Sequence, residues 1–374
     1  MRATQTPAQT LVVQVLLTQP FGDSMDSTAK GLSSISANDG RKQEIVLLSA
    51  ADLRALVDSQ MAIAAIDEAY NRLYLNRGDQ GRSLGFSVER GSIHVKAGLL
   101  PGSHDCFATK INVNLPGNVE LNQLPTIQGV VVLVDARNGQ PLAIMESMAL
   151  TAIRTAATAA LAARHGARKN SKRLAIVGCG AQAGYQLDAI AACFKLEDVR
   201  VFDVNAARAE VFARDHQSGR GFRCTAEPSI RDAIEGADIC VTCTTSCSPV
   251  LTNDYELKGC FIAAMGADNP SKQEIAPALM RRSRMLVDDL DACAAGGDLY
   301  HALKTETVSR ADVHADLAEL AANAKSGRQS EDELVIFDST GSGVQDVALA
   351  WVAYRRARDT QQVSTFDLIG STAL

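Results

Sequence analysis

The sequence predicts an α/β protein: a central Rossmann-type parallel sheet domain plus an α+β domain formed by both chain ends. Three observations predict it. From Lys172 onward, short apolar strands alternate with helical stretches, the rhythm of a parallel sheet covered on both faces. Within that stretch, the apolar strand Leu174-Ala-Ile-Val177 runs straight into Gly178-x-Gly180-x-x-Ala183, and Asp203 closes the next strand. Ahead of residue 150 the pattern differs, with two helical stretches followed by a succession of strands.

The first 43 residues are rich in Ser, Thr, Gln, Asp and Gly and read as a disordered extension. Leu11–Leu17 is too short and too weakly flanked for a signal peptide, and Met25 is an alternative initiator. Order is expected from the strand Glu44–Leu48. Ser49-Ala-Ala-Asp52 is a capping box that opens a helix whose apolar face begins with Leu53, Leu56 and Val57. Ile63, Ile66, Tyr70, Leu73 and Tyr74 recur at helical spacing, and Gly78 ends that helix. Strands follow around 83–88, 92–98, 108–113 and 129–134. Asp135–Gly139 makes a turn, and 141–145 returns as a strand. Thr151–Arg164 is an Ala-rich helix joining the two regions. Parallel strands are then expected at 173–177, 199–203, 222–225, 238–244, 260–265 and 284–288, with helices near 181–193, 205–215, 228–235 and 275–280. A last helix, Val344–Arg358, packs back on the first region through Val344, Val347, Ala348, Trp351 and Val352.

Composition narrows the function. A chain of 374 residues suggests two domains, and 46% apolar residues suffice for their cores. A net charge of −6 without a basic stripe argues against nucleic acid as a partner. No apolar run approaches the ~20 residues of a membrane helix. Nine cysteines, an odd number with no secretion signal, fit a reducing cytoplasm. Cys240, Cys243 and Cys247 lie on and after an apolar strand with no second ligand pair, so no metal site is expected.

The glycine turn points to a dinucleotide. Gly178 makes the tight turn, Gly180 lets backbone approach a pyrophosphate, and Ala183 lets helix and strand pack closely. The helix opening near Ala181 and Gln182 aims free N–H groups and its positive dipole end at phosphate. Asp203 is placed to accept from a ribose 2′-OH. No Arg follows it immediately, and Arg208 comes a helical step later, so NAD is expected over NADP.

The chain resembles the ornithine cyclodeaminase/μ-crystallin family from about residue 44 to 358. The motifs that carry the resemblance are Ala108-Thr-Lys110-Ile-Asn-Val-Asn-Leu-Pro116-Gly-Asn118, Leu124-Pro-Thr126-Ile-Gln-Gly129, Thr151-Ala-Ile-Arg154-Thr-Ala-Ala157, Gly178-Cys-Gly-Ala-Gln182, Gly266-Ala-Asp268-Asn-Pro-Ser-Lys-Gln-Glu274 and Asp338-Ser-Thr-Gly341 with Gln345-Asp346. The resemblance implies a homodimer. It also implies a substrate-binding and dimerisation domain from 44–152 and 342–374 and a nucleotide domain over 153–341. Lys110, Arg154 and Arg82 would hold a substrate carboxylate, with Arg90 the competitor for Arg82. Arg154 is expected in the first turn of its helix, beside Thr151 and Thr155, where free N–H groups would add to its grip. Asp268 would move protons to and from the substrate nitrogen, assisted by Lys110. Taken without the resemblance, Asp268 is an ordinary turn aspartate before Asn269-Pro270. Thr126, Ser339 and Thr244 would approach the nicotinamide.

The implied reaction is NAD-dependent hydride transfer at the amino-bearing carbon of a small amino acid, most like ornithine cyclodeaminase. The alternatives are a cyclic imino acid reductase, an alanine-type amino acid dehydrogenase, or a non-enzymatic nucleotide-binding, crystallin-like protein. Cyclising members need an acid for the distal amine. On the strand 92–98 this chain instead offers His94 and Lys96, and His94 reads equally well as a surface residue of an edge strand.

Overall fold

The computed structural model describes residues 44–76, 80–100, 105–360 and 363–368. The extension 1–43 and Gly78 lie outside the described residues. The chain opens with strand β1 (Glu44–Leu48) and helix α1 (Ala50–Leu56), whose Ser49–Asp52 capping box is formed as expected. Helix α2 (Ser59–Leu75) follows, capped by Asp58 and closed at Asn76. Then come β2 (Arg82–Val88), β3 (Gly91–Leu100), β4 (Cys106–Asn114), the short helix α3 (Asn118–Asn122), β5 (Ile127–Asp135) and β6 (Pro141–Glu146).

Helix α4 (Ser147–Gly166) begins four residues before the position the sequence suggested. Glu146 is the reason. Its carboxylate accepts from the N–H groups of Met148 and Ala149 at 2.7 and 2.8 Å, satisfying the first turn from a residue type seldom used as a cap. Sixteen of the helix's 20 residues are buried, and its run of alanines lets α2 and the next helix approach closely.

The parallel region follows. It contains β7 (Arg173–Val177), α5 (Ala183–Cys193), β8 (Asp198–Phe202), α6 (Ala206–Gln217), β9 (Arg223–Ala226), α7 (Ile230–Ile234), β10 (Ile239–Thr242), β11 (Cys247–Leu251), β12 (Phe261–Ala264) and β13 (Gln273–Ile275). It continues through α8 (Pro277–Arg281), β14 (Arg284–Val287), α9 (Leu290–Gly296), α10 (Asp298–Lys304), β15 (Val313–Asp316), α11 (Leu317–Ala321) and β16 (Val335–Asp338). Helix α12 (Gly343–Thr360) and strand β17 (Ser364–Asp367) end the described chain.

Two main sheets result. The first has the order β17-β1-β6-β5-β4-β3-β2, antiparallel except for β1 beside β6. Its inner face, with Ala108, Lys110, Val131, Leu133 and Met145 buried, is covered by helices that include α4 and α12. The second is an eight-stranded parallel sheet ordered β15-β14-β16-β12-β10-β7-β8-β9. Its strand order reverses between β7 and β10, and open α/β sheets bind ligands beyond the carboxyl ends of such a pair. β11 and β13 form a small parallel pair of their own. A single apolar cluster runs from Val46 on β1 through α4 to Val201 on β8 and Ala357 on α12, so both sheets share one core.

Candidate active site

The glycine turn lies at the reversal point. Gly178 has φ +98°, a conformation that L side chains rarely adopt, and a Cβ there would meet Thr244 Cγ2 at 2.9 Å and Cys243 O at 3.0 Å. A Cβ at Gly180 would meet nothing within 4 Å, so the second glycine faces open space. Helix α5 starts at Ala183, two residues later than expected, and its Gln182 cap makes no side-chain capping bond. Ala183 N donates to Gly180 O, and open space lies at Gly180 just ahead of the helix. The donor set fits a pyrophosphate.

Asp203 does more than the sequence suggested. Its Oδ2 accepts from Cys179 N and its Oδ1 from Asn205 N, both at 2.8 Å, so the carboxylate pins the glycine turn to the end of β8. Arg208 Nη1 stands 3.5 Å from the same carboxylate. Glu274, buried on β13, makes a second brace. It accepts from Thr242 Oγ1, Thr244 N and Gly266 N, tying the end of β10 to the end of β12. Thr244, Asp268 and Ser339 thus follow the carboxyl ends of three neighbouring strands, β10, β12 and β16.

The charged cluster abuts these strand ends. Lys110 Nζ donates to Asp346 Oδ1 at 2.9 Å and to Thr151 Oγ1 at 3.1 Å. Arg154 Nε stands 3.1 Å from the same Asp346 oxygen, and Arg154 Nη1 donates to Gln345 Oε1 at 2.6 Å. Lys110, Arg154 and Asp346 are all buried. Burial, helped by Arg154 and Lys96, lowers the Lys110 ammonium to about 7 against the upward pull of Asp346. Burial also raises Asp346, but Lys110 and Arg154 outweigh it and hold the carboxylate below its ordinary value.

Gly341, φ +76°, presses its backbone against the guanidinium, since a Cβ there would lie 2.3 Å from Arg154 Nη1. Lys96 faces Lys110 directly across the β3–β4 ladder, and its Nζ donates to Thr340 O at 2.9 Å and Gly341 O at 3.0 Å. Behind the turn, buried Asp288 accepts from Ser339 Oγ, Gly341 N and Gln345 Nε2, and Gln345 also donates to Tyr70 OH.

The cluster corrects two expectations. Arg154 sits two turns into α4, not in its first turn, so the free N–H groups of a helix start do not lie beside it; those of Met148 and Ala149 are capped by Glu146. Its anchors are instead Asp346 and Gln345 on α12. Arg82 is not brought to the cluster. It pairs with Ala97 while Ser83 faces Lys96, so strand alternation turns Arg82 to the opposite face, where it is exposed and donates to Gly81 O. Arg90, its competitor, is exposed in the β2–β3 turn.

Other candidates stand apart from the cluster or at its edge. Thr126 is exposed just before β5, and its carbonyl accepts from Leu115 N. Asp268 is 53% exposed and ion-paired to Lys272 at 2.8 Å. Burial raises its carboxyl, but Lys272, Lys96 and Asn269 outweigh that and bring it below its ordinary value. The exposed fraction describes the carboxylate better than its crowding does, because solvent reaches it and screens the Lys272 pull. His94 is exposed and hydrogen-bonds Ser92.

Asp346, Gln345, Tyr70 and Asp288 carry no local sequence sign of a site role, and Lys96 stands out only as a cation on the strand 92–98. The nearest to such a sign is an acid inside an apolar helical face, Val344-Gln-Asp346-Val347. The cleft of about 670 Å³ between Glu256, Arg282, Asp312, His314 and Asp332 takes in the residues just ahead of β14, β15 and β16, at the end of the sheet remote from this chemistry. Among the described residues, no group of three His, Cys, Asp or Glu side chains is placed to hold a metal ion.

The sequence pattern of the ornithine cyclodeaminase/mu-crystallin family matches residues 43–361. The chain belongs to that family. Alanine dehydrogenase of Archaeoglobus fulgidus is 33% identical over 315 residues, 84% of this chain and 95% of its own length. Among solved structures, an archaeal alanine dehydrogenase dimer with bound NAD superposes with a TM-score of 0.81 at 32% identity, covering 87% of this chain and 100% of its own. The Δ1-pyrroline-2-carboxylate reductase of Thermococcus litoralis, in complex with NADH and L-proline, gives a TM-score of 0.81 at 29% identity, covering 86% and 99%. The family's mixed α/β fold with its Rossmann-type parallel sheet is the fold described above.

Proposed function

We propose that this family member is an enzyme that moves a hydride to or from the amino-bearing carbon of a small amino or imino acid, with NAD as cofactor. One observation carries the reading. Lys110 and Arg154, buried around one Asp346 carboxylate, abut the Ser339–Gly341 turn at the end of β16, next to the strand that leads to Asp268. The dinucleotide would lie along Gly178–Ala183 with Asp203 at the adenosine ribose. Thr126, Thr244 and Ser339 are the candidates for the nicotinamide end. When bound, NAD supplies the hydride acceptor or donor.

The chain's own residues do the rest. Lys110 and Arg154 hold the α-carboxylate, which fixes the neighbouring carbon in place. Asp268, ionised at neutral pH and reachable from solvent, takes a proton from the substrate nitrogen in the oxidising direction and returns it in the reducing one. The ornithine cyclodeaminase outcome, giving proline and ammonia, and the reductase or dehydrogenase outcome differ in whether the cofactor is consumed. Lys96 favours the second outcome. A diamino acid would bring its distal ammonium toward a wall that presents a cation where a carboxylate is wanted.

An absorbance assay at the NADH band, run beside ammonia release over a panel of amino and imino acids, separates these outcomes. Tight NAD binding without turnover of any of them would instead favour a crystallin-like binding protein. Asp268→Asn should lower turnover by roughly 10²–10⁴ while cofactor binding survives. Near-normal turnover would return Asp268 to the role of a turn residue.

A homodimer is part of the same reading. The outer face of the first sheet carries a cross-strand row of Leu84, Val95, Ile111 and Val130, with Phe86 and Leu99 beside it, and most of these are exposed. Such a face calls for a covering surface. All nine cysteines are free thiols, in keeping with the cytoplasm. Among the described residues, no helix is long and apolar enough to cross a membrane.

A further inference from the structure

We infer that Gln345 and Asp288 are positioning residues that make the grip of Arg154 on a carboxylate depend on the cofactor end of the site. This rests on the proposed function and deepens it, by joining its two binding events. Three groups hold the Arg154 guanidinium, and they differ in kind. Asp346 Oδ1 stands 3.1 Å from Nε, but the N–H is not aligned on it, so the contact attracts without fixing an angle. Gly341 supplies a backbone wall, since a Cβ there would lie 2.3 Å from Nη1 and 2.8 Å from Nη2. Gln345 Oε1 accepts from Nη1 at 2.6 Å, and among the described residues this is the one aligned side-chain hydrogen bond on the guanidinium. The aim of Arg154 is therefore set by Gln345 and by the turn that carries Gly341.

The Gln345 amide has one workable orientation. Its Nε2 donates to Tyr70 OH at 2.7 Å and to Asp288 Oδ2 at 3.2 Å. Turned over, it would set oxygen against the carboxylate and N–H against the guanidinium. A neutral amide also leaves the charge of Arg154 free for a ligand, where a glutamate would neutralise it. The Asp288 oxygen that receives Gln345 also receives Ser339 Oγ and Gly341 N, both at 2.7 Å. Its other oxygen receives Thr340 N at 3.3 Å, Asp289 N at 2.9 Å and Cys293 Sγ at 3.2 Å. One carboxylate thus bonds all three residues of the turn and the amide that aims Arg154. From the opposite side Lys96 Nζ donates to Thr340 O and Gly341 O, and Asp288 offsets its charge across the turn.

The turn keeps bonding capacity for a ligand. Thr340 Oγ1 is buried without a hydrogen-bond partner. Ser339 Oγ gives its one proton to Asp288 and can still accept. A ligand bonded at this turn fixes Ser339 and Thr340, and through Asp288 it fixes Gln345 and the guanidinium. NAD bound with its nicotinamide end at Ser339 would do this. The same residues are then ordered once for two ligands, so each should bind more tightly beside the other.

Calorimetry with propionate as the carboxylate probe, on the full chain with and without saturating NAD⁺, tests the coupling. In the wild type, NAD⁺ should tighten propionate roughly 10-fold. Gln345→Met and Asp288→Asn, which puts an N–H against Gly341 N or Gln345 Nε2, should each bring that ratio to about one. NAD⁺ alone should bind Gln345→Met within about threefold of the wild type, a split that general loosening of the fold would not give. Tyr70→Phe removes one acceptor from the amide and no charge, and its ratio should fall between. In turnover, Gln345→Met should raise KM more than it lowers kcat. A wild-type ratio near one, or a wild-type ratio kept in Gln345→Met or in Tyr70→Phe, overturns this inference while the proposed function stands. Propionate that binds in neither state, with NAD⁺ still bound, overturns both.

Discussion

The glycine turn and the charged cluster are built on opposite principles. The turn and its brace are local, Asp203 coming 25 positions after Gly178, and it presents mostly backbone to its ligand. The cluster draws Tyr70, Lys96, Lys110, Arg154, Asp288, Gln345 and Asp346 from almost the whole described chain, and it presents buried charge. A backbone site tolerates changes in most of its side chains and fails only where shape matters. A buried-charge site holds together only while every partner is present. Asp346, shared by Lys110 and Arg154, makes that difference largest.

Removing Asp346 should therefore give the largest effect. Asp346→Ala leaves two cations buried around a missing counter-charge, and breaking a buried pair from one side costs about 3–5 kcal/mol. Urea denaturation should show that loss. A drop below about 1 kcal/mol would show the cluster to be well solvated and would dissolve the contrast with the turn.

The next test breaks the turn without touching charge, using its two glycines against each other. Gly178→Ala forces a side chain into a positive-φ site beside Thr244 and Cys243, and should cost about 1–3 kcal/mol of stability. Gly180→Val adds a side chain facing open space and should leave stability within about 0.5 kcal/mol. The same side chain would stand where backbone should approach the pyrophosphate, so NAD affinity should fall by roughly 10²-fold. Unchanged affinity in Gly180→Val would move the cofactor away from this turn.

The contrast also explains what could be read from the sequence. The turn was legible because its parts are contiguous and each residue type has one geometric reason to be there. The parallel strands were legible as apolar runs, and their expected bounds differ from the observed ones by a residue or two. Much of 289–343 was not. Helices α9, α10 and α11 have five to seven residues, too few for a 3.6-residue period to show. Arg154 was misplaced within its helix because Glu146, an uncommon cap, starts α4 early. The role of Asp346 is not legible, because nothing local says that a helix-face acid meets a lysine 236 residues away. The outward face of Arg82 follows from strand parity, which pairing alone decides.

The last effect concerns the Lys110 proton, and it separates the cluster's two duties. Burial, together with Arg154 and Lys96, brings the ammonium from 10.5 to about 7. Its charge is needed for a substrate carboxylate, so KM should be flat below about pH 7 and rise above it. Stability should move the other way. Between about 7 and 10.5 the unfolded chain keeps a proton that the folded chain has shed, so stability rises with pH across that window, by at most about 1.4 kcal/mol per unit. Lys110→Met removes the titration, and the stability gap between it and the wild type should shift toward the wild type from pH 7 to pH 9. Lys110→Arg keeps a charge that does not titrate there, so its KM should stay level over the same range even if turnover falls. A wild-type KM that is flat to pH 9 would mean that Asp346 keeps Lys110 fully charged. The cluster would then be as indifferent to pH as the turn.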